Sequence, residues 1–278
     1  MTVPPSLLFV FGMGYSARRL AARLVPAGWR VEGTSRAKDA DLGPGVRALQ
    51  WGGEGEVRPQ SGAHWLVTLP PDSDGCPAAR AMGKRASEAA SVTYLSTTGV
   101  YGDLGGGWAM EWSPVNPGSA RARARVLAER QWQEATGGAA RIVRLPGIYG
   151  PGRSPFERLR TGTATRVVKP GQVFSRVHVE DIARGLEALL LKPALTGVFH
   201  LCDDEPAPPQ DVTAFAAGLL GMAPPPETDF ADAGLSPMAR SFYAECKRVS
   251  NARAKAALGW RPLYPSYREG LTAILAGS

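Results

Sequence analysis

From Leu7 to Leu145 short continuous apolar runs alternate with segments whose apolar residues recur at helical spacing. Leu7-Leu8-Phe9-Val10-Phe11 is unbroken and ends at a glycine, which predicts a strand buried on both faces, as in a parallel sheet. Ala17, Leu20, Ala21 and Leu24 then fall at i, i+3, i+4 and i+7, the stripe of an amphipathic helix, and Gly28 stands where a helix C-terminal glycine would. A strand over Trp29 to Thr34 follows at once. Val46 to Trp51, His64 to Leu69, Val92 to Thr97 and Arg141 to Leu145 read as further strands, and the Ala-rich Ala78 to Ala90 as a helix.

Asn116-Pro117 sets a capping residue before a proline and Gly137-Gly138 ends the segment, so a helix is predicted from Pro117 to Thr136. Beyond Gly150 the elements shorten: helices over Glu180 to Leu191, Gln210 to Leu220, Asn251 to Leu258 and Tyr267 to Leu275, and a strand over Gly197 to Cys202. This alternation predicts an α/β fold, a Rossmann-type doubly wound parallel sheet with a smaller C-terminal substrate lobe. Residues 1–150 are expected to form the dinucleotide-binding domain and 151–278 the small lobe, interleaved with it. No internal repeat interrupts the pattern.

Composition narrows the function without choosing it. The 278 residues are 44% hydrophobic, enough for a sizeable core, and the net charge of +7 permits affinity for phosphates. Arginine outnumbers lysine 26 to 6, so part of that basicity is as well explained by codon bias as by a partner. Cys76, Cys202 and Cys246 are scattered and odd in number, which suggests neither a disulfide framework nor a zinc site, and three scattered histidines supply no ligand spacing: no metal is expected. No run approaches the roughly 18 apolar residues of a membrane span, and the run Ser6 to Phe11 is too short for a signal sequence. A cytoplasmic protein with no membrane partner is expected.

Candidate chemistry begins between the first strand and helix. Gly12-Met13-Gly14-Tyr15-Ser16-Ala17 is a G-x-G-x-x-A: the first glycine permits the tight turn, the second lets a pyrophosphate approach, and the small sixth residue lets helix pack on strand. Gly12, Gly14, Tyr15, Ser16 and Ala17 are therefore candidate cofactor residues. About twenty residues on, the second strand ends in Ser35-Arg36 rather than an acidic residue, which suits a 2′-phosphate and favours NADP over NAD. Glu32 lies inside the strand, not at its tip.

Three further stretches are Ser96-Thr97-Thr98-Gly99-Val100-Tyr101-Gly102, Arg144-Leu145-Pro146-Gly147-Ile148-Tyr149-Gly150-Pro151-Gly152-Arg153 and His178-Val179-Glu180-Asp181-Ile182-Ala183. With the glycine turn, Lys247-Arg248-Val249-Ser250-Asn251 and Leu258-Gly259-Trp260-Arg261-Pro262, their order resembles the landmarks of the extended short-chain dehydrogenase/reductases, the NAD-dependent epimerase/dehydratase family. The resemblance implies NAD(P)-dependent redox or epimerase-type chemistry on a small, sugar-nucleotide-like or anionic substrate. It implies Thr97 as the catalytic Ser/Thr, cofactor contacts at Pro70, Pro146 and Ile148, and substrate contacts at Tyr101, Arg153 and Arg176.

The family's Tyr-x-x-x-Lys pair is missing. Counting back from Glu129 within Ser119 to Arg130, SARARARVLAER, puts Arg125 at the lysine position and Arg121 at the tyrosine position. Steps of four residues drift only about 40°, so Arg121, Arg125 and Glu129 share a helix face and Arg123 points away. Arginine can supply a fixed charge but moves protons poorly at neutral pH. Tyr15, Tyr149, Asp103, Glu111, a substrate group or water are candidates for the vacant proton donor. The loop Gly102 to Val115, with Trp108 and Trp112, reads either as a lid or as packing on the lobe. His178 reads as structural, and His64 and His200 likewise. Two functions compete: an atypical NADP(H) enzyme, or a catalytically inactive NADP(H)-binding regulator. Nucleic-acid binding rests on charge alone and is not expected, and a monomer or homodimer is equally compatible.

Overall fold

The N-terminal apolar run becomes the middle of a seven-stranded sheet. The computed structural model describes residues 6–37, 40–52 and 57–277. In chain order the first half comprises β1 (Leu7–Phe11), α1 (Tyr15–Leu24), β2 (Arg30–Ser35), β3 (Val46–Gln50), β4 (His64–Val67), α2 (Pro77–Met82), β5 (Ser91–Thr97), β6 (Trp108–Ala109), α3 (Ala120–Ala135) and β7 (Arg141–Leu145). All five residues of β1 are buried, as are all five of β7, because helices cover both faces of the sheet. The apolar stripe Ala17, Leu20, Ala21 and Leu24 of α1 is buried against it.

Two helices differ from the sequence pattern. The segment 78–90 is not one helix: α2 stops at Met82 and a 3-10 turn runs over Gly83–Glu88. Gly83 is a poor helix former, which ends the regular helix there. Helix α3 starts three residues later than the Asn-Pro signal predicts, because the Ser119 side chain caps it by accepting from the Ala122 N–H at 3.1 Å. The Asn116 N–H is instead committed to the Val100 carbonyl at 2.9 Å.

The second half contains β8 (Gly147–Tyr149), α4 (Pro155–Arg160), β9 (Arg166–Val168), β10 (Arg176–His178), α5 (Val179–Leu190), β11 (Gly197–His200), α6 (Pro209–Leu219), β12 (Glu227–Asp229), α7 (Pro237–Phe242), β13 (Arg248–Val249), α8 (Ala252–Leu258) and α9 (Tyr267–Ala276). The sheet order is β11-β7-β5-β4-β1-β2-β3, with every pairing parallel. Strand β11 thus returns to the main sheet, while the pairs β8–β10 and β9–β12 stand apart and a separate core gathers Phe156, Leu159, Val212, Ala216, Tyr267 and Leu271. Short strands such as β9 and β12 give no periodicity to read. Among the described residues no helix is long and apolar enough to cross a membrane.

The order reverses between β1 and β4, the place where doubly wound sheets open a crevice at the carboxyl ends of their strands. Register carries that edge across: Phe11 pairs with Val67, Val67 with Tyr94, and Thr97 with Leu145. The glycine turn, the residues after β4, Thr97 and Pro146 therefore share one rim.

Candidate functional site

The glycine turn is pinned from two sides. Gly12 adopts φ +89°, and a Cβ there would stand 2.8 Å from Leu69, so both backbone and space require glycine. Its N–H donates to the Thr34 hydroxyl at 2.8 Å, its carbonyl accepts from the Thr68 hydroxyl, and the Met13 N–H donates to the Thr34 carbonyl at 3.0 Å. Gly14 is the exposed N-cap of α1, with no side-chain cap and no acidic residue in the first turn. Only Thr68 Oγ1, at 3.9 Å, would come near a Cβ on Gly14. The helix therefore presents its N-terminal N–H groups to an open, uncontested cradle, which fits a dinucleotide pyrophosphate. Ser16 and Ala17 are buried beneath it, so their side chains serve packing while their backbone serves the cradle.

Beyond β2, Ser35 Oγ accepts from the Ala37 N–H at 3.2 Å, which shapes the turn, and Arg36 is exposed with no side-chain partner among the described residues. Glu32 is engaged by Arg47 at 3.1 Å along the strand. Arg18 was not singled out by the sequence pattern, yet it donates to the Met13 carbonyl at 3.3 Å and to the Asp41 carbonyl at 2.7 Å, joining the glycine turn to the loop after β2. Pro70 is exposed on the rim after β4, and Pro146 and Ile148 are half-buried after β7.

Thr97 closes β5 and caps the following turn: its Oγ1 accepts from the Gly99 N–H at 3.1 Å. That bond uses a lone pair and leaves the hydroxyl hydrogen free to donate. The two arginines on α3 diverge despite their shared face. Arg121 is exposed and has no partner among the described residues. Arg125 turns back onto the sheet, where its Nη1 donates to Tyr94 Oη at 2.9 Å and to the Leu95 carbonyl at 3.0 Å. In this structure Arg125 thus bridges α3 and β5, because its long side chain finds acceptors on the neighbouring strand.

The sequence expectation for Tyr101 is corrected. It is fully buried, and its hydroxyl lies 2.6 Å from His200 Nε2 and accepts from Arg144 Nη1 at 2.7 Å, so nothing remains for a substrate. Arg144 in turn grips Glu129 through two bonds of 3.1 and 2.7 Å, and Ser96 Oγ donates to the same carboxylate at 2.5 Å. Burial drives the His200 pKa down to about 4, which keeps it neutral, with Nδ1 donating to the Ser250 carbonyl at 2.9 Å. The loop after Gly102 is tied down rather than free, since β6 pairs with β13 and Leu104 and Gly106 donate to the Cys246 carbonyl at 3.1 and 2.9 Å. Trp108 and Trp112 stand exposed, at 53% and 78%, although Trp108 sits on the strand that pairs with Arg248 of the lobe.

Three of the four side-chain candidates for the proton donor are occupied, and the fourth, Glu111, is buried with Oε1 unpartnered. Tyr149 is buried, its hydroxyl donates to the Ser266 carbonyl at 3.3 Å, and burial raises its pKa far above the ordinary tyrosine value. The Tyr15 hydroxyl donates to the Pro151 carbonyl at 2.8 Å, and the Arg153 guanidinium lies over its ring at 4.5 Å. Gly150 makes this clasp possible: its φ is +155°, and a Cβ would stand 2.4 Å from the Tyr15 hydroxyl. Asp103 accepts from the Gly105 and Cys246 N–H groups, which hold its pKa down, so it organises a turn. Glu111 is buried, with a pKa raised by burial and one carboxylate oxygen 4.0 Å from His200 Nδ1.

Arg176 is half-buried and spends Nη1 on the Phe174 and Ala207 carbonyls at 2.7 and 2.9 Å, leaving the rest of its guanidinium beside Asp203. Asp203 is the residue sequence reasoning missed. It is only 3% exposed, neither carboxylate oxygen has a hydrogen-bond partner, and burial, opposed by the nearby Arg176, raises its pKa to about 8. The signal was present in the Cys-Asp-Asp that follows an apolar strand. Among the described residues no three His, Cys, Asp or Glu side chains come together as a metal site would require.

No protein-family model matches the chain. Solved structures of the same architecture include dTDP-glucose 4,6-dehydratase from Bacillus anthracis in complex with NAD, at 15% identity, TM-score 0.75 and 98% and 96% of the two chains. Another is the human epimerase family protein SDR39U1 with NADPH, at 16% identity, TM-score 0.72 and 98% and 100% coverage. In fold the chain is thus similar to NAD-dependent epimerase/dehydratase structures, with the same Rossmann-type doubly wound parallel sheet. More particularly, it belongs to one family with a functionally unknown conserved protein from Silicibacter pomeroyi DSS: the two are 49% identical over 98% of this chain and 99% of the other, with a TM-score of 0.92. It is also 34% identical over 208 residues to the 3-diazoavenalumate denitrifying reductase of a Streptomyces species, a match that takes in 70% of this chain and 66% of that reductase's length.

Proposed function

We propose that the chain is an NADP(H)-dependent oxidoreductase acting on a small, anionic substrate, with the dinucleotide-binding unit in residues 1–150 and the substrate lobe in 151–278. The observation that carries this reading is the uncapped, acid-free N-terminus of α1 beneath Gly14, with the unpartnered Arg36 at the tip of β2. Gly12 and Gly14 would hold the pyrophosphate, Ser35 and Arg36 the 2′-phosphate, and Pro70, Pro146 and Ile148 the rest of the dinucleotide. A nicotinamide bound there supplies or accepts hydride. The similarity to a named reductase, and the NADPH in one neighbour of the same fold, support this over an epimerase; the NAD in another neighbour makes the cofactor preference the first thing to test.

This chain's own groups then divide the remaining work. Thr97 donates its free hydroxyl hydrogen to the substrate oxygen, and Arg121 and Arg153 attract its anionic group from the exposed rim. Asp203 is the proton donor in place of the absent tyrosine: its N–H bonds the Arg176 carbonyl at 2.8 Å, and Arg176 pairs with Gly147 on β8, beside the cofactor candidates. A carboxyl with a pKa of about 8 is still protonated at neutral pH and can donate.

Fluorescence titration tests the cofactor half: NADPH should bind at least tenfold tighter than NADH, and Arg36→Ser should erase that margin. Turnover should fall as pH rises through about 8, and Asp203→Asn, which has no acidic proton to give, should abolish it while leaving NADPH binding intact. The engagement of Arg125 by β5 favours the second reading, a cofactor-binding regulator without chemistry. Bound NADPH that reduces nothing across a broad screen of carbonyl and anionic substrates, while its oxidation state alters binding to a protein partner, would establish that alternative.

A further inference from the structure

A cavity of about 420 Å³ runs along α1 from its first residue, Tyr15, to Ala22. Its walls include Tyr15, Arg18 and Arg19 from α1, His178 at the start of α5, Tyr264, and Ile274 from α9. Among the described residues it has no carboxylate in its lining, and Glu180 nearby is engaged by Arg19 and Arg23. His178 is the informative member. Its Nδ1 accepts from the Glu180 N–H at 3.2 Å, which places the ring proton on Nε2, and that Nε2 is buried without any partner in a residue only 5% exposed. The Tyr264 ring meets the His178 ring edgewise, with centroids 4.3 Å apart.

A buried donor with no acceptor is an unfavourable arrangement that a ligand oxygen would relieve. Arg19 keeps both Nη groups after its Nε is spent on Glu180, and Arg18 keeps its Nη1, so every charged side chain in the lining is a donor. The rest of the wall is aromatic or aliphatic. We propose that this cavity is a second small-molecule site, separate from the dinucleotide cradle, and that it takes a planar aromatic carboxylate. The carboxylate accepts from His178 Nε2 and the arginines while the ring lies among Tyr15, Tyr264 and Ile274. A volume of about 420 Å³ suits an acid of one or two rings. Because Tyr15 also clasps Pro151 across to the lobe, an occupant would touch both halves of the molecule.

Calorimetry on the full chain with 2-naphthoate, in saturating NADPH, tests this directly. One site per chain is expected, with the neutral 2-naphthamide at least tenfold weaker. Ala22→Trp should abolish binding by filling the cavity from an exposed position on α1 while leaving NADPH affinity unchanged. Arg19→Gln should weaken binding roughly tenfold, as loss of one charge-assisted contact does. The proposal is overturned by no binding, by equal affinity for acid and amide, or by full binding to the Ala22→Trp variant.

Discussion

Two buried arginine–carboxylate neighbourhoods lie on adjoining parts of the molecule and are built in opposite ways. Around Glu129, 6% exposed, every oxygen is used: Arg144 makes two bonds and Ser96 a third, while Arg144 has a hand left for Tyr101. Around Asp203, 3% exposed, both oxygens are unused and Arg176 faces other acceptors. A satisfied buried pair fixes α3 to β5 and β7; an unsatisfied one is a polar group held ready for something else. Closure of the first lets the rim tolerate the openness of the second.

The largest effect should come from the closed cluster. Glu129→Ala leaves Arg144 buried without its counter-charge and should lower stability by about 3–5 kcal/mol, read by urea unfolding. Little loss would mean that Arg144 finds water, and the contrast between the clusters would fade. At Asp203 the sign reverses. Its folded pKa of about 8 lies above the unfolded value of 3.8, so the folded state binds the extra proton and stability falls as pH rises between those values. Asp203→Asn should therefore stabilise the protein by roughly 1–3 kcal/mol above pH 8 and hardly at all near pH 4, in denaturation curves taken at both.

The histidines, each shifted less than Asp203, give a slope of opposite sign. His178 and His200 have pKa values driven to about 4 by burial, below the ordinary 6.5, so their contribution is present above pH 6.5 and is lost as pH falls toward 4. Replacing His200 by Gln should flatten that acid limb of the melting-temperature profile. The smallest change is at the bridge between α3 and β5: Arg125→Lys cannot satisfy both Tyr94 and Leu95 with the same geometry and should cost about 1 kcal/mol. A gain of turnover in that variant would return position 125 to the reacting centre.

Local pattern sufficed where one element carries its own signal. The unbroken run before Gly12 and the stripe from Ala17 to Leu24 specify β1 and α1 without help from elsewhere. The start of α3 was three residues off because Asn-Pro and Ser119 are both plausible caps, and only tertiary contact chose between them. At the site the gap is wider. A shared helix face places Arg121 and Arg125 together, but whether a long side chain reaches the rim or the adjacent strand depends on Tyr94 and Leu95, 31 and 30 positions away. Asp203 carried only a faint signal for the same reason: an Asp after a strand is ordinary until its burial beside Arg176 is known.

The return of β11 to the main sheet has a practical side. A chain cut after Gly150 would keep a complete glycine turn but leave β7, all of whose residues are buried in the intact protein, as a bare sheet edge without Gly197–His200 beside it. Such an edge pairs readily with another copy. The apparent cofactor module should therefore precipitate when expressed alone, and anyone seeking a minimal nucleotide-binding unit will have to keep the chain through β11.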